Sequence, residues 1–179
     1  MVTRQHLAKI AKFEAQRCFH GAVMHMEPNI QPIIEPFPAR EGNGKWTIEE
    51  ADGMWCAAFV YYCCAKAGFV IPIKPKECTS SNLAGCYQWE EFAKGNVRIT
   101  HHPAKDSDFV PEEGDIVLYD YVFIEHEHDH IGIILENKDT SLIVAEGNIN
   151  NVSGVVERKK DTHIRAYIRI PDNYKYPTI

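Results

Sequence analysis

The chain has 179 residues, of which 45% are hydrophobic and 25% are charged, and its formal net charge is −6. This length and composition suit one compact domain with a sizeable core, and they disfavour global disorder. Acidic charge without a basic stripe argues against a nucleic acid or an anionic membrane surface as the main partner.

The N-terminal region predicts a helix followed by an irregular segment. Thr3 can cap a helix over residues 4–19, where apolar side chains recur at helical spacing. Prolines and glycines follow at close intervals, but the segment that contains them is too apolar for a free linker. We therefore expect residues 1–45 to pack on a domain formed by residues 46–179, as one globular unit.

No targeting segment is recognisable in the sequence. The basic residues near the N-terminus are not followed by the unbroken apolar run of a secretory signal. No stretch approaches the roughly 20 apolar residues that a membrane-spanning helix needs. We expect the protein to stay in the cytoplasm or to leave the cell by a non-classical route.

A largely buried helix is predicted from Trp55 to Gly68, because the residues between them are apolar on two faces. Gly68 suits the C-terminal cap. Cys56 then lies in the first turn, where unpaired N–H groups and the helix dipole lower the pKa of a thiol and favour the reactive thiolate. Gly53 leaves room for a substrate just before it. The alternative is that Cys56 is a small core residue, as free cysteines often are.

A third helix is predicted over residues 82–94, with Gly95 as its end. Its inward side chains are expected to be Leu83, Cys86, Tyr87 and Phe92. A turn at residues 111–114 follows, and then come β-rich runs at 116–119, 131–135, 142–145, 155–156 and 166–170. Helices followed by an antiparallel meander predict an α+β fold.

A histidine partner for the thiol is expected at the start of the most apolar strand, where His130 lies. Glu146 and Asn148 close the next strand. Adjacent antiparallel strands joined by a short turn bring the start of one beside the end of the other. His130 should therefore lie near Glu146 or Asn148, and either oxygen could hold the imidazole in the required tautomer. The alternative is that residues 146–148 form an ordinary turn.

The six cysteines show no C-x-x-C spacing, so the sequence gives no support to a zinc ribbon or an iron–sulfur site. Neighbouring Cys63 and Cys64 are poor disulfide partners for each other. Free, buried thiols in a reducing compartment fit this distribution best.

Four short motifs in this order resemble the CHAP amidase/peptidase family and the related NlpC-type wall peptidases. The motifs are residues 55–60 (WCAAFV), 111–117 (PEEGDIV), 129–134 (DHIGII) and 146–148 (EGN), and the resemblance spans roughly residues 45–170. It implies a papain-like α+β core in which a buried nucleophile helix packs on an antiparallel sheet.

The resemblance also implies roles for individual residues. Cys56 would be the nucleophile, His130 the general base, and Glu146 or Asn148 the residue that orients the histidine. The backbone N–H of Cys56 would donate to the oxyanion, and Trp55 would help to wall the cleft as a substrate-binding residue. The implied reaction is acyl transfer on an amide of a peptide or of peptidoglycan, with no cofactor and no metal.

Asp129 departs from the resemblance, since many relatives have Gly or Ser before the histidine. Its extra negative charge beside the base is expected to raise the pKa of His130. For such an enzyme, the candidate protein partners are a targeting protein and an immunity protein.

Two other classes of function compete with this interpretation. His126, His128 and His130 form a segment that resembles the H-x-H-x-D-H motif of metallo-β-lactamase-like hydrolases but is one residue short, so a zinc hydrolase is one alternative. A solvated loop is the simpler interpretation of His126 and His128, and a surface loop is expected for residues 101–102. The other alternative is a non-catalytic binding domain that shares the fold.

Overall fold

The computed structural model describes residues 1–23, 25–106 and 108–177. Within these ranges the chain forms helices first and then a run of strands. The helices are α1 (Arg4–Ala15), α2 (Gln31–Ile34), α3 (Ile48–Ala51), α4 (Cys56–Lys66) and α5 (Cys86–Gly95). The strands are β1 (Thr100–Pro103), β2 (Ile116–Tyr119), β3 (His130–Asn137), β4 (Ser141–Ile149), β5 (Val152–Lys159) and β6 (Ile164–Arg169).

The strands form one antiparallel sheet in the order β1-β6-β2-β3-β4-β5. Helix α4 packs on β3 and β4 in the middle of this order, and α1 packs beside it on the same strands. The predicted α+β class is therefore confirmed, and so is the buried helix on an antiparallel sheet. No helix in the described ranges is long and apolar enough to cross a bilayer.

Helix α4 is buried because its sequence is apolar around nearly its whole circumference. Residues 56–61 are all buried, and so are Cys63 and Cys64. The helix begins at Cys56, which therefore lies in the first turn as predicted, and Gly68 follows its end with a φ of 93°, a left-handed conformation that favours glycine. A capping box between Thr47 and Glu50 starts the short helix α3 just upstream.

Each face of the sheet carries its own apolar layer, since neighbouring side chains of a strand point to opposite sides. In β2, Ile116 and Leu118 join the main core under the helices, while Val117 and Tyr119 join a smaller cluster on the other face. The irregular N-terminal segment contributes to the main core as well. Its fully buried members are Ile30, Ile33, Ile34 and Phe37.

Two helix boundaries expected from the sequence are wrong, and so are the expected positions of two side chains. Helix α1 ends at Ala15 rather than at residue 19, and Cys18, predicted on its apolar face, is exposed with a φ of 55°. Helix α5 begins at Cys86 rather than at residue 82, because the Asn82 side chain and carbonyl accept the N–H groups of residues 84 and 85 and form a turn first. Tyr87 on this helix is 48% exposed rather than inward.

The expected surface loop at residues 101–102 is strand β1 instead. It pairs with β6 at the edge of the sheet, with His101 opposite Ile168. Apart from Thr100, its sequence lacks the β-branched and large aromatic side chains that mark a strand, so the pairing comes from β6 rather than from local propensity.

Candidate active site

Helix α4 and strands β3 and β4 bring Cys56, His130 and Glu146 together. Cys56 is the first residue of α4, His130 the first residue of β3, and Glu146 lies in β4. All three are buried, at 6%, 1% and 0% exposure. Cys56 interacts with His130 by a side-chain hydrogen bond and by charge.

The imidazole of His130 is held by one nitrogen and keeps the other available. Its Nε2 lies 2.8 Å from Oε2 of Glu146. Its Nδ1 is buried and has no hydrogen-bond partner among the described residues. The ring packs edge-on against Phe123, with ring centres 4.8 Å apart. One nitrogen is therefore fixed by a carboxylate while the other is available for proton transfer, which is the arrangement that a general base needs.

Glu146, and not Asn148, is the partner of the histidine. Continuing the register of Ile133 opposite Ala145 by three residues would place Asn148 across from His130. Asn148, however, has a φ of 60°, and its Nδ2 donates to the carbonyl of Gly53 at 2.8 Å. The left-handed residue leaves the strand geometry, so its side chain turns to the loop before α4.

Gly132 explains how the longer Glu146 side chain reaches the ring. A Cβ atom at residue 132 would lie 2.8 Å from Cγ of Glu146 and 2.5 Å from Cγ1 of Val144. A side chain at this position would collide with both. Glycine in the H-x-G-I motif thus leaves the space that the carboxylate occupies.

Arg158 on β5 anchors the carboxylate, and the sequence analysis missed it. Its Nε donates to Oε1 of Glu146 at 2.9 Å and its Nη2 to Oε2 at 2.6 Å. The guanidinium also lies over the Phe123 ring, 5.2 Å from its centre. A bidentate arginine fixes a carboxylate in orientation as well as in charge. No local motif marks this arginine, since it reaches Glu146 only through the pairing of β4 with β5.

The surroundings favour a charged thiolate and imidazolium. A hydrogen bond from the thiol of Cys86 lowers the pKa of Cys56 to about 5, against the effect of burial, and His130 lowers it further. Burial acts to lower the pKa of His130, but the charge of Glu146 and the hydrogen bond to Cys56 outweigh it and raise this pKa to about 9. Burial opposes the charged form of Glu146 too, yet the charge of His130 and the Arg158 hydrogen bonds hold its pKa below the usual range.

Asp129 has a different role from the one expected. Its Oδ2 accepts the backbone N–H groups of Val122, Phe123 and Ile124 at 2.8, 2.7 and 3.3 Å. The carboxylate therefore shapes the loop that sets Phe123 against His130. The charge that raises the pKa of the histidine comes from Glu146.

The loop before Cys56 is held by Asn151, which the sequence analysis also missed. Its Oδ1 accepts the N–H of Gly53 at 3.2 Å and the indole N–H of Trp55 at 2.9 Å, while its Nδ2 donates to Asp52 at 2.6 Å. These bonds tie the loop before α4 to the turn between β4 and β5. A cluster of asparagines at residues 148–151 is the sequence signal that could have suggested this, because asparagine tolerates left-handed turns.

The structure places Trp55, the expected substrate-binding residue, in the core and not in the cavity lining. Its side chain is fully buried, packs edge-on against Phe59 and donates to Asn151. An indole without exposed surface cannot line a cleft, and its apolar bulk belongs to the core. The exposed apolar side chains beside His130 are Phe123 and Ile124, at 41% and 62% exposure.

The three histidines of the metal hypothesis do not converge. His128 Nε2 lies 2.6 Å from Glu90, His130 pairs with Glu146, and His126 Nδ1 contacts the carbonyl of Glu127. In the part of the chain that the structure describes, no group of three or more His, Cys, Asp or Glu side chains is arranged to hold a metal ion.

His128 is also not solvated, as its side chain is 8% exposed. It belongs to an ion-pair cluster centred on the buried carboxylate of Glu90, which also contacts Lys94, His101 and Arg165.

An open cavity of about 380 Å³ lies against the histidine. Its lining is Gly53, Phe123, Ile124, Asp129, His130, Asn148, Asn150 and Asn151. The imidazole thus lies at a cleft with a mixed polar and apolar lining, and the buried Cys56 is not itself one of the lining residues.

A cysteine at the start of a central helix, packed on an antiparallel sheet that supplies the histidine, defines the papain-like class of α+β fold. A family model described as CHAP domain matches residues 49–148, which is more than half of the chain, and the chain therefore belongs to the CHAP domain family. This is a family of amidases and peptidases of the peptidoglycan-hydrolase type. No curated protein matches the sequence.

Proposed function

We propose that this protein is a cysteine-dependent amidohydrolase that cleaves an amide bond of peptidoglycan, either the muramoyl–alanine bond or a bond within the peptide. The observation that carries the proposal is the buried sequence of contacts from Cys56 to His130 to Glu146. The match to the CHAP domain supports the peptidoglycan substrate.

The reaction follows from the charges of the site. The Cys56 thiolate attacks the amide carbon, and the backbone N–H of Cys56, which has no helical acceptor at the first turn, stabilises the oxyanion. His130 carries the proton that the leaving amine needs, and Nδ1 is the nitrogen in position to give it. The neutral imidazole then takes a proton from water, which hydrolyses the thioester and restores the thiolate.

The cleft suits a peptide backbone as the ligand. Oδ1 of Asp129 and Oδ1 of Asn148 are buried acceptors without a hydrogen-bond partner among the described residues. Both residues line the cavity beside His130. Peptide N–H groups are natural donors to such oxygens, while Phe123 and Ile124 offer apolar surface to a small side chain.

The test is digestion of purified peptidoglycan, with mass analysis of the soluble fragments. We expect wild-type protein to release fragments with a new amine, and Cys56→Ala to release none. A free alanine amine together with glycan bearing a lactyl carboxylate would identify the muramoyl–alanine bond. Cuts inside the peptide would identify an endopeptidase.

Cys18→Ser is the matched control, because this thiol is exposed and lies outside the site. Activity equal in wild type and Cys56→Ala would refute the proposal. So would the absence of any fragment from wild-type protein whose Cys56 reacts with iodoacetamide.

A further inference from the structure

A second thiol lies against the nucleophile. Sγ of Cys86 is 3.6 Å from Sγ of Cys56. Each is the first residue of its helix, Cys56 of α4 and Cys86 of α5. Both are buried, at 6% and 7% exposure, so two rigid elements hold the sulfurs together inside the protein.

We propose that Cys56 and Cys86 form a reversible disulfide when a hydroperoxide oxidises the site, so that Cys86 is a resolving thiol and this pair is a modification site. The inference rests on Cys56 being the reactive thiol of the proposed function. It does not depend on which amide the enzyme cleaves.

The chemistry balances in two steps. The Cys56 thiolate attacks one oxygen of the hydroperoxide and breaks the O–O bond, which gives a sulfenic acid and hydroxide or alkoxide. The thiol of Cys86 then attacks the sulfenic sulfur, an S–S bond forms, and the hydroxyl leaves with the thiol proton as water. Cys56 and Cys86 together lose two electrons, and the peroxide gains them.

The protonation states suit these roles. Cys56 is the thiolate, and a thiolate is the form that peroxide oxidises. The hydrogen bond to Cys56 and burial raise the pKa of Cys86, so Cys86 keeps its proton and donates it toward the thiolate. The sulfurs need to approach by only about 1.5 Å to reach the length of a disulfide, which is about 2.05 Å.

The other thiols are placed differently. Cys78 is buried, but its Sγ donates to the carbonyl of Gln88 at 3.3 Å. Burial raises the pKa of Cys63 and of Cys64, which favours the unreactive thiol form. Cys18 is exposed, and its Sγ contacts the carbonyl of Gln16 and not a second thiol.

The test treats the full chain with hydrogen peroxide, blocks remaining thiols with iodoacetamide, and maps the cysteines by peptide mass. We expect one linked pair of peptides containing Cys56 and Cys86, with loss of two hydrogens, and its disappearance with dithiothreitol. Peptidoglycan-cleaving activity should fall with the disulfide and return with the reductant.

Cys86→Ser keeps a donor beside Cys56 but removes the resolving sulfur. Peroxide should then carry Cys56 to the irreversible sulfinic acid, and after reductant the variant should recover less than about a tenth of its own untreated activity. Cys78→Ser, an equally buried thiol outside the contact, should behave as the wild type does.

Two results would overturn the inference. One is sulfinic acid on Cys56 of the wild type with no linked Cys56–Cys86 peptide pair. The other is equal recovery of activity after reductant in wild type and Cys86→Ser. The mapping uses no peptidoglycan. A disulfide in a protein without wall activity would therefore leave the inference standing and refute only the proposed function.

Discussion

The Cys56 sulfur and the His130 ring are both buried, and their shifted pKa values favour a negative charge on the sulfur and a positive charge on the ring. Water screens them poorly there, so each charge depends strongly on its neighbours. Cys86 and His130 stabilise the thiolate, Glu146 stabilises the imidazolium, and Arg158 holds Glu146. The charge state of the Cys56 sulfur on α4 thus depends on side chains from four other elements of the fold, α5, β3, β4 and β5.

The first prediction concerns pH. The pKa of Cys56 lies near 5, below the ordinary value, so its thiolate is present above that pH and is lost as the pH falls through it. At pH 6 iodoacetamide should therefore label Cys56 while the buried Cys63, Cys64 and Cys78 remain unlabelled. Labelling followed by peptide mass analysis measures this.

The pH dependence of hydrolysis should also have an upper limit. The pKa of His130 is raised to about 9, so the ion pair is complete between about pH 5 and pH 9 and the proton donor is lost above that range. Hydrolysis should fall on both sides, and His130→Ala should slow the labelling of Cys56 at pH 6. Equal labelling of all six thiols at pH 6 would contradict an activated nucleophile.

The second prediction concerns the orienting carboxylate. Glu146→Gln removes the charge that keeps His130 protonated and leaves Arg158 without its anion. We expect kcat/KM to fall about 100-fold or more, within the range of general acid–base effects, and the upper pH limit of activity to move down. A pH–rate profile against the wild type measures both.

Glu157→Gln is the control for this change, because Glu157 is the neighbour of Arg158 on the same strand and its carboxylate contacts Ser141 and Lys138 at the surface. It should leave the profile where it is. A Glu146→Gln enzyme with unchanged kcat/KM and an unchanged upper limit would show that the carboxylate does not orient the base.

Among the elements of the fold, the start of α4 and the end of β4 form one unit through Asn148 and Asn151. Hydrogen bonds from these asparagines fix the loop before the nucleophile, so the sulfur has a defined position before any substrate binds. Side chains also connect separate elements at the other end of the sheet, where Glu90 of α5 binds His101 of β1 and Arg165 of β6.

The third prediction tests the hydrogen bonds by which Asn151 holds the loop before α4. Asn151→Ala removes the acceptor of the Gly53 and Trp55 N–H groups and should lower kcat about 10-fold or more, since small displacements of a nucleophile are costly. Asn173→Ala is the matched control, because both residues have positive φ, 70° and 57°, and Asn173 does not line the cavity beside His130. Comparable kcat values in the two variants would count against a positioning role.

The fourth prediction tests how much the ion-pair cluster around Glu90 contributes to the free energy of unfolding. Glu90→Gln leaves Lys94, His101, His128 and Arg165 without their shared anion. We expect the free energy of unfolding to fall by about 3–5 kcal/mol, as for other broken buried ion pairs. Glu91→Gln, its neighbour on the same helix, should cost far less, and urea unfolding of the two variants distinguishes them.

For the whole molecule, residues 1–45 and the rest of the chain share one core. Leu7, Ile33 and Phe37 from the first part lie in the same apolar cluster as Phe59 and Ile133 from the second. The N-terminal part covers apolar surface that α4 and the sheet would otherwise expose to water.

The fifth prediction follows from this shared core. Protein lacking residues 1–45 should fail to give a cooperative unfolding transition. Phe37→Ala should lower the free energy of unfolding by about 3–5 kcal/mol. Phe13→Ala, at a side chain that is 63% exposed, should change it little. A truncated chain that unfolds cooperatively would show that residues 46–179 form a domain by themselves.

The sequence by itself determined the features that depend on neighbours along the chain. The apolar run from Trp55 determined a buried helix with Cys56 in its first turn, and the β-rich runs determined strands β2 to β6 and the α+β class. Four short motifs in order were enough to identify the CHAP family.

Only the tertiary structure decided which side chains meet. The choice of Glu146 over Asn148 depended on one left-handed residue, the Arg158 anchor on the register of β4 and β5, and the Cys86 contact on the packing of α5 against α4. Each contact joins residues far apart in the sequence. Periodicity reports which face of an element is buried, but it carries no information about what that face is buried against.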